Sequence, residues 1–98
     1  MAKKVNAVFS ADMTKNQEKG GAWLAEFDVV YDYEDKPRVS GRDAFSNPSA
    51  AKRWLKEQVL AHTNKKSIKM IAGSDKDAKD KPINFSGSVV FKVEESAL

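Results

Sequence analysis

Apolar and polar residues alternate along three stretches of this chain of 98 residues. A period of two is typical of a strand that buries one face, because successive side chains point to opposite sides of a sheet. The alternation covers residues 5–13, 23–33 and 83–94. Two weaker strands are predicted over residues 38–45 and 67–71. The pattern therefore predicts an antiparallel sheet of about five strands with one solvated face.

One stretch has helical spacing instead, from residue 48 to residue 63. Asn47 is suited to the N-cap and Pro48 to the first helical position. Asn64 can take the left-handed conformation that ends many helices. The inward-facing positions recur three and four residues apart. They are Ala51, Trp54, Leu55, Gln58, Val59 and His62.

These elements follow the order β-β-β-α-β-β, which defines an α+β fold. We expect one domain over residues 1–98, with the helix packed on the apolar face of the sheet. The order of the strands stays open, since the last strand could pair with the first or lie at an edge. Gly87 marks an expected bend or bulge in the last strand. Residues 34–37 are predicted to form a turn, and residues 72–82 a mobile polar loop.

The composition narrows the class of protein. The net charge is +3, and the chain has no cysteine, which excludes disulfides and cysteine-based catalytic or metal sites. No apolar run approaches the roughly 18 residues of a membrane helix. The first residues lack the apolar centre of a signal peptide. We therefore expect a soluble, cytoplasmic protein without a membrane partner, and its oligomeric state stays open.

Candidate catalytic and metal-binding groups are few. His62 is the only histidine, and no neighbour in the sequence would complete a catalytic pair with it. Asp75, Asp77 and Asp80 lie close together, but three lysines interleave with them and would repel a cation. We therefore predict no catalytic residue, no metal site, no cofactor and no enzyme activity.

The positive charge is concentrated in the middle of the chain. Residues 34–69 carry nine Lys or Arg against four acids, whereas the segments on either side are slightly acidic. Clustered cations supply the phosphate contacts of nucleic-acid binding. The residues predicted to make these contacts are Lys52, Arg53, Lys56, Arg38 and Arg42. The alternative is an ordinary solvated helix face on which Arg53 pairs with Glu57 one turn later.

The segment around the start of the helix resembles a known arrangement. The third strand ends in the run GRDAF, and a small cap, an Ala-Lys step and an aromatic residue follow. This order resembles the small β-β-β-α arm-type domains at the N-termini of tyrosine-type recombinases. More distantly, it resembles the sheet-then-helix half of double-stranded-RNA-binding domains. The resemblance covers residues 23–59 and implies phosphate contacts by Lys52 and Arg53.

A second hypothesis is a protein-interaction or accessory module that associates through a sheet edge or an apolar patch. Four apolar residues lie on the predicted polar faces of their strands, namely Val8, Leu24, Val30 and Val90. If they align across neighbouring strands, they form a patch that a monomer seldom exposes. The sequence ranks this hypothesis nearly level with nucleic-acid binding.

Overall fold

The structure is a computed structural model that describes residues 3–16, 21–33 and 38–97. Its elements are β1 (Lys4–Lys15), β2 (Trp23–Tyr31), β3 (Val39–Phe45), α1 (Pro48–Thr63), β4 (Met70–Ala72), β5 (Asn84–Glu94) and a 3-10 turn (Glu95–Ala97). The predicted α+β fold of β-β-β-α-β-β order is confirmed. The turn expected at residues 34–37 lies outside the described residues.

The five strands form one antiparallel sheet in the order β3-β2-β1-β5-β4. The last long strand therefore pairs with the first, which was one of the two arrangements that the sequence left open. β1 and β5 have 12 and 11 residues, and their length makes the molecule elongated, with extents of 55 × 22 × 19 Å.

Two local expectations were wrong. The fourth strand begins at Met70, three residues later than predicted, because the chain must first descend from the helix layer to the edge of the sheet. Gly87 does not form a bulge, since the pairing of β5 with β1 runs through it without interruption. A Cβ at Gly87 would overlap the carbonyl oxygen of Lys69, so this glycine permits a close approach of two backbones.

The core lies between α1 and one face of the sheet. Phe9 and Phe27 stack with ring centroids 5.4 Å apart, and Trp54 of α1 packs on Phe27 at 5.5 Å. Phe91 joins the same cluster from β5, so the predicted packing of the helix on the aromatic face is confirmed. Burying each large side chain stabilises the fold by about 1.5–3 kcal/mol. The buried apolar residues are Val5, Ala7, Phe9, Ala11, Met13, Trp23, Ala25, Phe27, Val29, Ala51, Leu55, Val59 and Phe91.

Both predicted ends of the helix are confirmed. The side-chain oxygen of Asn47 accepts a hydrogen bond of 2.8 Å from the backbone N–H of Ala50, which satisfies one of the free donors of the first turn. Asn64 adopts the left-handed conformation with φ 59°, and its N–H donates to the carbonyl of Leu60 at 3.1 Å. These caps fix the residues at which α1 begins and ends.

Candidate interaction surfaces

Three of the four predicted patch residues align on the face of the sheet that points away from α1. Odd-numbered residues of β1 are buried or partly buried under the helix, so the even-numbered ones lie on this open face. Val8 is directly opposite Val30 of β2 and Val90 of β5. The three residues are 37%, 48% and 63% exposed, respectively. They form a continuous row across three strands, which we call the valine row.

Leu24, the fourth predicted patch residue, lies apart from the valine row. It is exposed, but its cross-strand neighbours are Thr14 and Ala44. Along β2, Glu26 and Asp28 separate it from Val30. Hence the register joins three of the four residues, and Leu24 remains a single exposed side chain at the far end of the open face.

A polar depression of about 520 Å³ adjoins the valine row. Asp12 and Glu26 line it, and they are direct cross-strand neighbours. Like charges in this position destabilise a strand pair. Neither carboxylate has an ion-pair partner among the described residues. The depression is lined by Ser10, Asp12, Glu26, Phe27, Asp28, Arg38, Ser40, Gly41 and Arg42.

Arg38 binds the carboxylate of Asp28 with two nitrogens, Nε and Nη2, on one edge of its guanidinium. The Nε–Oδ1 distance is 3.1 Å and the Nη2–Oδ2 distance is 2.5 Å. This side-chain hydrogen bonding holds the pKa of Asp28 below its ordinary value. Sequence reasoning missed the pair, although the alternation of β2 and β3 places both residues on the open face. A phosphate would have to compete with Asp28 for Arg38.

The five cations predicted to bind nucleic acid fall on two different sides of the molecule. Arg38 and Arg42 line the depression on the open face. The other three, Lys52, Arg53 and Lys56, are exposed on α1, which covers the opposite face.

The helix cations also lack the intrahelical pairing that was considered for them. Among the described residues, the only ion pair joins Asp28 and Arg38. The Arg53–Glu57 ion pair that was considered for the helix therefore does not form. Lys52 instead places its Nζ 5.0 Å from the ring centroid of Phe85. Arg53 and Lys56 are therefore cations in solvent.

The other candidate groups have structural surroundings. His62 is partly buried with its ring 5.6 Å from that of Phe27. Asp77 accepts hydrogen bonds from the backbone N–H groups of Lys81 and Lys79, at 3.1 and 2.8 Å, and these bonds lower its pKa. Asp75 accepts from the side-chain amide of Asn84 at 2.8 Å. These carboxylates organise the 72–82 loop, while its predicted mobility stays a prediction.

Comparison of the chain with protein-family models, with curated proteins and with solved structures gives no match. The resemblance to arm-type and double-stranded-RNA-binding domains therefore stays a prediction. In the described part of the chain, no helix has the length and apolar character needed to cross a membrane.

Proposed function

We propose that this chain is a non-enzymatic protein-interaction module that binds its partner on the open face of the sheet. The observation that carries this proposal is the register that places Val8 between Val30 and Val90. Three valines side by side leave apolar surface exposed in the monomer, and a partner would remove this surface from water.

The dimensions of the open face suit a protein partner. Five strands at about 4.8 Å spacing are about 20 Å across, and the 12 residues of β1 extend about 40 Å. The open face is smaller than the product of these lengths, because β3 and β4 have only 7 and 3 residues, but it is of the order of the roughly 800 Å² that each partner contributes to a standard interface. The apolar row lies within this area and is flanked by polar residues, as in many interfaces between proteins.

The charges beside the valine row indicate the chemistry of the partner. Asp12 and Glu26 repel each other across the strand pair, and neither forms an ion pair among the described residues, although Arg42 lies opposite Glu26 on β3. A Lys or Arg of the partner would relieve this repulsion while its apolar side chains cover the valine row. The proposed partner therefore presents an apolar strip with a cation on one side.

A displayed library of random peptide segments tests this proposal without a known partner. We expect selected binders to combine aliphatic or aromatic residues with Lys or Arg. Val8→Lys should weaken their binding about ten-fold or more, since a charge would be placed at the centre of the contact. Leu60→Lys is the matched control, because Leu60 is 51% exposed but lies on α1. Binding that survives Val8→Lys would refute the proposal.

Nucleic-acid binding through α1 is the second candidate. The observation that favours it is the absence, within the described residues, of an acidic partner for Lys52, Arg53 and Lys56. A phosphate contact by all three would make the logarithm of affinity fall with the logarithm of salt concentration with a slope of about −2 to −3. The triple substitution to Gln should abolish this dependence. A single-stranded and a duplex probe without salt-dependent binding would exclude this candidate.

A further inference from the structure

Positive charge is concentrated in α1 and in the segment of residues 64–69 that follows it. Residues 48–69 contain six Lys or Arg and one acid, which gives them a net charge of +5. The rest of the chain contains eleven Lys or Arg and thirteen acids, a net charge of −2. The part of the molecule that contains the helix is therefore the part that attracts a polyanion.

Five of these six cations lie on α1 or directly after it. All five are exposed, and none forms an ion pair within the described residues. Lys69 is not included, because it lines a depression on the open face together with Ser10 and Ser86. We call the other five the basic strip, which consists of Lys52, Arg53, Lys56, Lys65 and Lys66.

The two lysines beyond the helix are held close to its end. The hydroxyl of Thr63 donates to the carbonyl of Val59 at 2.5 Å and accepts from the backbone N–H of Lys65 at 3.0 Å. Thr63 itself is buried, with 8% of its surface exposed. The backbone of Lys65 is therefore attached to the last turn of α1, and the basic strip continues past the C-terminal end of the helix.

The basic strip has two groups of cations along the axis of α1. Three cations lie in the first half of the helix, and two lie beyond its last residue. At 1.5 Å per residue, the helix from Arg53 to Thr63 spans about 15 Å. The major groove of B-DNA is about 12 Å wide, with a phosphate backbone on each side. Cations at this separation can therefore contact both strands of a B-form duplex, whereas the major groove of an RNA duplex is narrow.

The aromatic residues argue against a single-stranded ligand. Proteins that bind single strands stack the bases on accessible aromatic rings. All nine aromatic residues of this chain lie in its described part, and each of them is buried or partly buried. Trp54, which follows Arg53 on the helix, packs on Phe27 and Phe45. The basic strip thus offers contacts for phosphates without an exposed ring on which unpaired bases could stack.

We propose that the basic strip binds the backbone of double-stranded DNA without reading its sequence. This inference rests on the second candidate function and extends it, because it adds Lys65 and Lys66 to the contacts and names a B-form duplex as the ligand. Contacts from Lys and Arg to phosphates position a protein on DNA but carry no sequence information. The basic strip and the valine row lie on opposite sides of the molecule, so the two surfaces can be tested separately.

The salt dependence of binding measures the number of phosphate contacts. For a DNA duplex of mixed sequence, the logarithm of affinity should fall with the logarithm of salt concentration with a slope of about −4 to −5, since each of five contacts contributes about −0.9. Replacing Lys65→Gln and Lys66→Gln together should bring the slope to about −3. The matched control is Lys4→Gln with Lys92→Gln, which removes the same charge from exposed positions on the open face and should leave the slope unchanged.

The outcomes distinguish this inference from the function on which it rests. A wild-type slope of about −3 that the Lys65→Gln and Lys66→Gln pair does not change would overturn the inference and leave binding by α1 alone in place. The absence of any salt-dependent binding would overturn both. Equal or tighter binding of a single strand or of an RNA duplex would overturn the assignment to B-form DNA. So would binding to phosphatidylserine vesicles in place of the nucleic acids, because the basic strip would then contact a lipid surface.

Discussion

The ring of Phe27 lies over Gly41 on the neighbouring strand. A Cβ at Gly41 would come within 2.7 Å of Cε1 of Phe27. Phe27 cannot move away easily, since it stacks on Phe9 and contacts Trp54 of the helix. Gly41 thus provides the space in which the central aromatic ring of the core sits, and it allows the helix to pack closely on the β2–β3 side of the sheet.

We therefore expect Gly41→Val to destabilise the protein by about 1–3 kcal/mol, the usual result of overpacking a core. The free energy of unfolding in urea measures this loss. Ser40→Ala is the control, because Ser40 is exposed on the same strand and its replacement should change stability by no more than about 0.5 kcal/mol. Equal stability of Gly41→Val and the wild type would show that the ring of Phe27 does not occupy this position.

The N-cap gives a second prediction. Asn47→Ala removes the acceptor of the Ala50 N–H and should reduce the free energy of unfolding by about 0.5–2 kcal/mol. Asn47→Asp keeps an acceptor of the same length and should retain most of the stability. If both substitutions destabilise the chain equally, the side chain of Asn47 has a role other than capping.

The helix–sheet contact gives a third prediction. Leu55 is 1% exposed and lies at the centre of the buried face of α1. Leu55→Ala should therefore reduce the free energy of unfolding by about 2–5 kcal/mol. Leu60→Ala, which removes the same atoms from an exposed position of the same helix, should have an effect near the limit of measurement. Similar losses for the two variants would contradict the orientation of α1.

The sequence predicted the local features because each depends on neighbouring residues. The alternation of β1 and β2 assigns every side chain to one face, and the cap residues Asn47 and Asn64 mark the helix. Arg38 and Arg42 lie one and three positions from the inward-facing Val39, so the period of two places both arginines on the open face. Their face was therefore also predictable from the sequence. Sequence reasoning nevertheless grouped these arginines with the helix cations, although a helix on the apolar face must lie on the other side.

The candidate surfaces depend on contacts that are distant in the sequence. Whether Val8 meets Val30 or a neighbouring position depends on the register of a strand pair, and a shift of two residues keeps every side chain on its face. The position of Val90 beside Val8 depends on the pairing of the last long strand with the first, which periodicity does not specify. The sequence therefore supplied the residues of the valine row, and only the structure showed which of them are neighbours.

The ion pair between Asp28 and Arg38 gives a prediction for the pH dependence of stability. The guanidinium keeps the pKa of Asp28 lower in the folded chain than in the unfolded chain. The stabilisation from this pair is therefore complete above the pKa of an unfolded aspartate, about 3.9. It is lost as the pH falls through the lower folded value, because protonation of Asp28 removes the charge that Arg38 binds.

We expect the free energy of unfolding of the wild type to fall more steeply between about pH 5 and pH 2.5 than that of Asp28→Asn. Arg38→Gln should give the same flatter profile, since it removes the other partner. Asp32→Asn should keep the wild-type slope, because Asp32 has no ion-pair partner among the described residues. The difference should be small and should shrink in high salt, since both side chains of the pair are partly exposed. Parallel profiles for the wild type and Asp28→Asn in low salt would mean that the pair does not form in solution. Arg38 would then be available to a ligand at the depression.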